Sequence, residues 1–193
     1  MATDSSAAGY LLPSSSPVYG NALDDLVHGV IVGLTGITGD LVRPRWQPEP
    51  PQQPDFTVDW VAFGLVRSEV DTFAYDYHDP TGNGVNAVQR DELLYFLHSF
   101  YGPDCHMYCE QYRDGLEVAQ NRDALTAANI GLQEVQEAVM LPALLKEKWV
   151  KRIDVTVVFR RRTTRTYPVL TIQSGQATLD NEHYLTPINV TYP

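Results

Sequence analysis

The strictest alternation of hydrophobic and polar positions lies in "KRIDVTVVFRRRTTR", Lys151 to Arg165. Ile153, Val155, Val157 and Phe159 fall on one face, and Asp154, Thr156, Val158, Arg160 and Arg162 on the other. A period of two predicts a half-buried strand. Arg161 occupies the apolar register one step past Phe159, where such a strand is expected to leave the core. Arg160 and Arg162 then sit on the polar face and tip of the strand, not in a loop built to follow a phosphate backbone.

A helical period comes first in the chain. From Asn21, read as a cap, Leu23, Leu26, Val27, Val30, Ile31 and Leu34 recur at three- and four-residue spacing, and Gly36 and Gly39 end the pattern. "RPRWQPEPPQQPD" places five prolines in thirteen residues, which excludes helix interior and central strand and predicts an extended connector. "FTVDWVAFGLVRSEV" reads as a strand, and "DPTGNG" as a turn between two extended segments. The following strand becomes apolar on both faces from Leu93 to Tyr101, as expected in the middle of a sheet covered by helices. Pro103 and Asp104 then open a helix with Cys105, Tyr108, Cys109, Tyr112 and Leu116 on one stripe.

Three stretches read less sharply. In "IGLQEVQEAVM", Leu132, Val135, Gln136 and Val139 suit a helix, and an alternating strand fits slightly less well. Pro142 is expected to open a short helical turn. "YPVLTI", Tyr167 to Ile172, reads as one more strand beside the arginine strand, and the residues after Ser174 as a weakly structured tail.

Charge adds a polarity to this outline. The 193 residues carry a formal net charge of -10. Residues 1–145 hold 6 basic and 20 acidic side chains, while 146–193 hold 8 basic and 4 acidic. Such a molecule is dipolar, and copies of it could pair head to tail. The overall acidity argues against DNA as an equilibrium ligand, since the field repels phosphate. No apolar run reaches the roughly 20 residues of a membrane-spanning helix. The N-terminus lacks the basic start and apolar core of a signal peptide, and residues 1–20 are expected to form a flexible arm whose Tyr10 and Tyr19 anchor it to a neighbour. Two cysteines make no disulfide framework, so a reducing cytoplasm is expected.

Catalytic and metal signatures are missing. "CHMYC" offers Cys105, His106 and Cys109, but no second Cys/His pair completes a zinc site, and buried free thiols are the expectation. His28, His78, His98 and His183 have no partner motif. There is no nucleophile elbow, phosphate loop with Lys or zinc-protease helix. Asp91 and Glu92 are adjacent and so point apart in any regular structure. The chain reads as a non-enzyme, with no cofactor.

The order of these signals resembles the neck and tail terminator proteins of tailed bacteriophages. The resemblance rests on "RWQPEPPQQPD", on "FYG" (Phe100 to Gly102) before a helix, and on "KWVKRIDVTVVFR", where Trp149 and Arg152 precede the alternating strand; it covers roughly residues 22–175. It implies an α/β (α+β) fold: a single domain over 21–175, with two to three helices on a mixed or antiparallel β-sheet, an extended arm before it and a tail, 176–193, after it. It also implies a strand, not a helix, over residues 131–140. The implied role is a structural virion protein assembled in the host cytoplasm. Its subunits form a ring, as a rule a hexamer, that caps the tail tube and joins it to the head-side connector. The implied partners are tail tube and sheath protein and the connector or head-closure protein, with DNA only passing through the lumen. The expected interface residues are Tyr10, Tyr19, Trp46, Trp149, Arg152, Arg160 and Arg162. Other connector components, a head-closure or tail-tube protein, remain the near alternative, and a DNA-binding module using Arg160 to Arg165 the distant one.

Overall fold

A computed structural model describes residues 3–49, 51–145, 147–172, 174–181 and 184–191, the side chains of 145 and of 175 onward excepted. The chain divides into two compact units. The larger holds residues 17–73 and 90–163; the smaller holds 1–16, 74–89 and 164–193.

In the larger unit, helix α1 (Asn21–Thr35) buries Leu23, Val27, Val30 and Ile31. Its cap is Gly20, one residue before the expected Asn21, and Gly36 closes it in the left-handed conformation. Helix α2 (Cys105–Glu117) buries Cys105, Cys109, Tyr112 and Leu116, the stripe read from the sequence. The short α3 (Asp123–Ala127) contributes Leu125. These side chains form one cluster with Val61 and Phe63, with Leu94, Phe96 and Phe100, and with Ile153, Val155, Val157 and Phe159. Each fully buried apolar side chain of this kind contributes about 1.5–3 kcal/mol.

The strand residues come from β1 (Val42–Pro44), β2 (Trp60–Val70), β4 (Val85–Tyr101), β9 (Arg152–Tyr167) and β5 (Ile130–Val135), in that order across the sheet. β3 (Tyr75–Asp79) pairs with β4, and β6 (Val139–Met140) with β9. β1 runs parallel to β2, whereas β3 and β2 on β4, and β5 and β6 on β9, are antiparallel. Helices on a mixed, mainly antiparallel sheet match the expected fold class. Gly102 of "FYG" has φ 115, and a Cβ there would lie 2.7 Å from Asp59 Cα. Only glycine fits this close passage between β4 and α2.

The structure corrects several readings. Helices cover one face of β4, where Glu92, Leu94, Phe96, His98 and Phe100 are buried; on the other face Leu93, Tyr95 and Leu97 are half-buried, and Ser99 and Tyr101 at the strand end are buried as well. Ile130–Val135 and Val139–Met140 are strands β5 and β6, as the family resemblance implied and against the helical count. A bulge between Leu132 and Glu134 is the reason, because it brings Leu132 and Val135 to the same core although they are three apart. Pro142 opens no helical turn; Ala143–Leu145 (β7) and Lys148–Val150 (β8) form an antiparallel hairpin around Glu147, whose φ is 64.

In the smaller unit, the turn after β3 forms as read, with Gly82 and Gly84 at positive φ. β9 ends at Tyr167, so residues 168–172 add no strand. The segment after them, expected as a weakly structured tail, forms a hairpin: β10 (Ser174–Asn181) pairs antiparallel with β11 (Tyr184–Thr191). Residues of the expected arm are hydrogen-bonded here, Ser5 N donating to Pro168 O at 3.1 Å and Ser14 N to Thr166 O at 2.8 Å.

Candidate assembly interface

The sheet face opposite the helices carries a row of cations and rings. Trp60 of β2 and Tyr101 of β4 stand directly across from each other, and their rings stack 4.1 Å apart with planes 5° from parallel. The Arg43 guanidinium lies 6.0 Å from the Trp60 ring, and that of Arg152 5.5 Å from Tyr101. Each cation faces the electron-rich surface of a ring, which favours both. Arg43 also donates to the carbonyls of Asp40 and Gln52, which ties the proline-rich connector to the sheet.

Arg152 is oriented from below by Asp154, two residues on and therefore on the same face of β9. Its Nε and Nη2 donate to the two carboxylate oxygens at 2.7 and 2.5 Å, and this pairing raises the arginine's proton affinity further. Ser99 Oγ donates to the same carboxylate at 2.5 Å and accepts from Arg45 Nη2 at 2.5 Å. Asp154 thus joins Arg152 and Arg45 across β9, β4 and the start of the connector.

Trp46 completes the face. Its backbone has φ 58, a left-handed conformation costing about 1–2 kcal/mol for a residue with a side chain. The indole lies over Gly64, where a Cβ would come within 2.8 Å of Trp46 Cζ3, yet Trp46 remains 71% exposed. Beside it, Trp60, Pro51 and Gln53 line an open groove of about 400 Å³.

The four arginines divide by register. Arg160 and Arg162 project outward, and both donate to Asp91, at 2.8 and 3.2 Å, while remaining largely exposed. These two contacts hold the Asp91 carboxyl below its ordinary range. Arg161 is the correction: β9 does not leave the core at this point, and Arg161 is buried with Thr163 beyond it. Its Nε donates to buried Glu92 at 2.7 Å and its Nη1 to Val18 O at 2.5 Å, and the Tyr19 ring lies 4.4 Å away. Arg165 belongs to the smaller unit.

Of the expected interface residues, the structure brings Arg160 and Arg162 together on Asp91 and sets Arg152 in the ring row, with Trp46 over Gly64 on that same face. Tyr19 packs under Arg161. Trp149 stands apart on the β7–β8 hairpin, 73% exposed, and Tyr10 lies in the smaller unit, 89% exposed. The sequence reading missed Arg43, Arg45, Trp60, Ser99, Tyr101 and Asp154. Trp60 carried a signal, since it sits out of register with Val61, Phe63 and Leu65; Tyr101 ends a run apolar on both faces, and the Arg45 to Asp154 link spans more than a hundred residues, so neither had one.

Buried titratable groups serve packing. His98 is fully buried against Phe63, Phe96 and Tyr112, and burial lowers its pKa to about 3. Burial pushes the Cys109 thiol up to about 12 and raises those of Cys105 and the Tyr112 phenol. Among the described residues no cluster of three or more His, Cys, Asp or Glu side chains could hold a metal, and no helix is long and apolar enough to cross a membrane.

A model of the phage neck terminator protein family matches residues 21–182, a span that includes both halves of the ring row and the arginine strand. The chain belongs to that family. Among the curated proteins the sequence has no significant match. As a neck terminator it is a structural bacteriophage protein of the virion's neck and tail, and its work is contact with other head and tail proteins. A helix-free sheet face with half-buried Trp60, Arg43 and Arg152 around the Tyr101 ring suits that work.

Proposed function

We propose that the chain is the subunit of a hexameric ring that caps the tail tube and joins it to the head-side connector or head-closure protein, without enzymatic activity and with no cofactor. The observation that carries this reading is the helix-free sheet face, where half-buried Trp60, Arg43 and Arg152 are arranged around the buried Tyr101 ring. Tryptophan, tyrosine and arginine are the side chains that dominate binding energy at protein interfaces. Trp46, on the same face, and separately Trp149, Tyr10 and Tyr19 offer further exposed aromatic side chains to neighbouring copies, tail tube and sheath. The net charge of -10 suits a lumen through which DNA slides without binding. Assembly takes place in the host cytoplasm.

Negative-stain imaging of the full chain, alone and with purified tail tubes, tests the proposal. Six-fold rings seated at tube ends are expected. A chain that remains monomeric beside tail tubes, or that coats them laterally, overturns it.

A further inference from the structure

The β7–β8 hairpin forms a two-stranded sheet of its own. Leu144 and Trp149 are paired across it and are 59% and 73% exposed. Val139, Met140 and Leu141, just before it, are also exposed. Isolated apolar side chains on a surface are ordinary; five within eleven residues mark a binding surface. The charge here is basic: residues 142–152 carry four basic side chains and one acidic. Lys148 Nζ rests 3.9 Å from the Phe56 ring centroid and Lys151 donates to Pro103 O, and neither forms an ion pair among the described residues.

A complementary surface occurs in the same chain. All five residues of β3 are exposed, on both faces of the strand. Tyr75 and Tyr77 lie on one face with ring centroids 5.5 Å apart. Residues 68–79 carry four acidic side chains and no Lys or Arg. Asp76 accepts from the Asn86 amide and Asp79 from Thr81, and neither forms an ion pair among the described residues.

The geometry points to a head-to-tail contact between copies, in which the Leu144–Trp149 pair of one subunit packs on the Tyr75–Tyr77 pair of the next, with Lys151, two residues past Trp149, opposite Asp79, which shares the Tyr75–Tyr77 face of β3. This rests on the ring proposed above and names the surfaces that build it. The occupant is a second copy because each surface supplies what the other lacks: a basic aliphatic and indole face against an acidic phenolic one. Pairing either with itself would set like charges together. Two different, complementary surfaces on one chain repeat the same contact from subunit to subunit, which closes into a ring when the rotation permits.

Sedimentation of the full chain across a concentration series tests the contact, with thermal unfolding as the control for folding. Trp149→Ala is expected to weaken association about 30-fold or more, as for a central aromatic anchor. Lys151→Glu and Asp79→Lys are each expected to weaken it roughly tenfold, and the doubly reversed chain to recover most of that loss, because opposite charges again meet. Rings of the wild-type chain that survive Trp149→Ala and Lys151→Glu unchanged overturn the contact alone. A double variant as weak as the two single losses combined also overturns the pairing of Lys151 with Asp79. A wild-type chain that stays monomeric overturns the ring itself and the contact with it.

Discussion

Arg161 and Glu92 form an ion pair in which the side chains are only 3% and 7% exposed. Two desolvated charges stabilise a fold only while both are present. Glu92→Gln or Arg161→Met alone is expected to destabilise the larger unit by about 3–5 kcal/mol, and Glu92→Leu with Arg161→Met by clearly less. Urea unfolding of the three variants checks this. Because Arg161 also holds Val18 O, the single arginine variant should further speed proteolysis near residues 17–20, whereas Glu92→Gln should not do so to the same extent.

Arg160 and Arg162 behave differently, since water reaches both. Replacing both by Gln is expected to leave the unfolding transition nearly unchanged, because exposed ion pairs contribute little. Association between copies or with tail tubes should weaken, as the exposed guanidinium surface is repeated in every subunit. Unchanged association together with a fall in affinity for duplex DNA would instead assign these arginines to phosphate.

Stability is expected to fall on acidification. Below its ordinary pKa of 6.5 His98 is protonated in the unfolded chain, while the folded chain resists the proton until about pH 3. The unfolded state therefore gains protons first as pH drops through this window. The lowered Asp91 carboxyl adds a loss at the acid end, as its ion pairs are neutralised. Urea midpoints measured from pH 7 to 4 should decline, and His98→Gln should flatten the upper part of that decline.

Cys105 and Cys109 are both buried, with thiols raised by desolvation. The thiolate is the reactive form, so both should resist aromatic disulfide reagents in the native chain and react fully in denaturant. Elemental analysis of fresh protein should find no stoichiometric zinc; finding it would overturn the assignment of these thiols to packing.

The elements legible in the sequence were those whose burial follows one local period. α1, α2 and the inward register of β9 could be read because each buries a single regular stripe. β5 could not, because its bulge makes Leu132 and Val135 imitate helical spacing. The β7–β8 hairpin turns on Glu147 at φ 64, a residue that carries no glycine-like turn signal. Arg161 read as the end of a core because its partner, Glu92, lies 69 residues away. In the candidate interface, exposed Trp149 and the Arg160–Arg162 pair were visible, while the Asp154 network depends on strands brought together only by the fold.

The separation of 69 residues between Glu92 and Arg161 also governs the order of folding. Joining β4 to β9 requires closing a long loop, which places completion of the main sheet on the slow, millisecond-to-second scale of non-local β structure. The β3–β4 and β7–β8 hairpins are local and can close within microseconds. Local pairing can therefore sample the surfaces assigned to subunit contact before the hydrophobic interior is shut, and crowded refolding chains can meet through them early. Refolding yield is expected to fall as protein concentration rises, which favours slow supply of the chain over rapid accumulation during virion assembly.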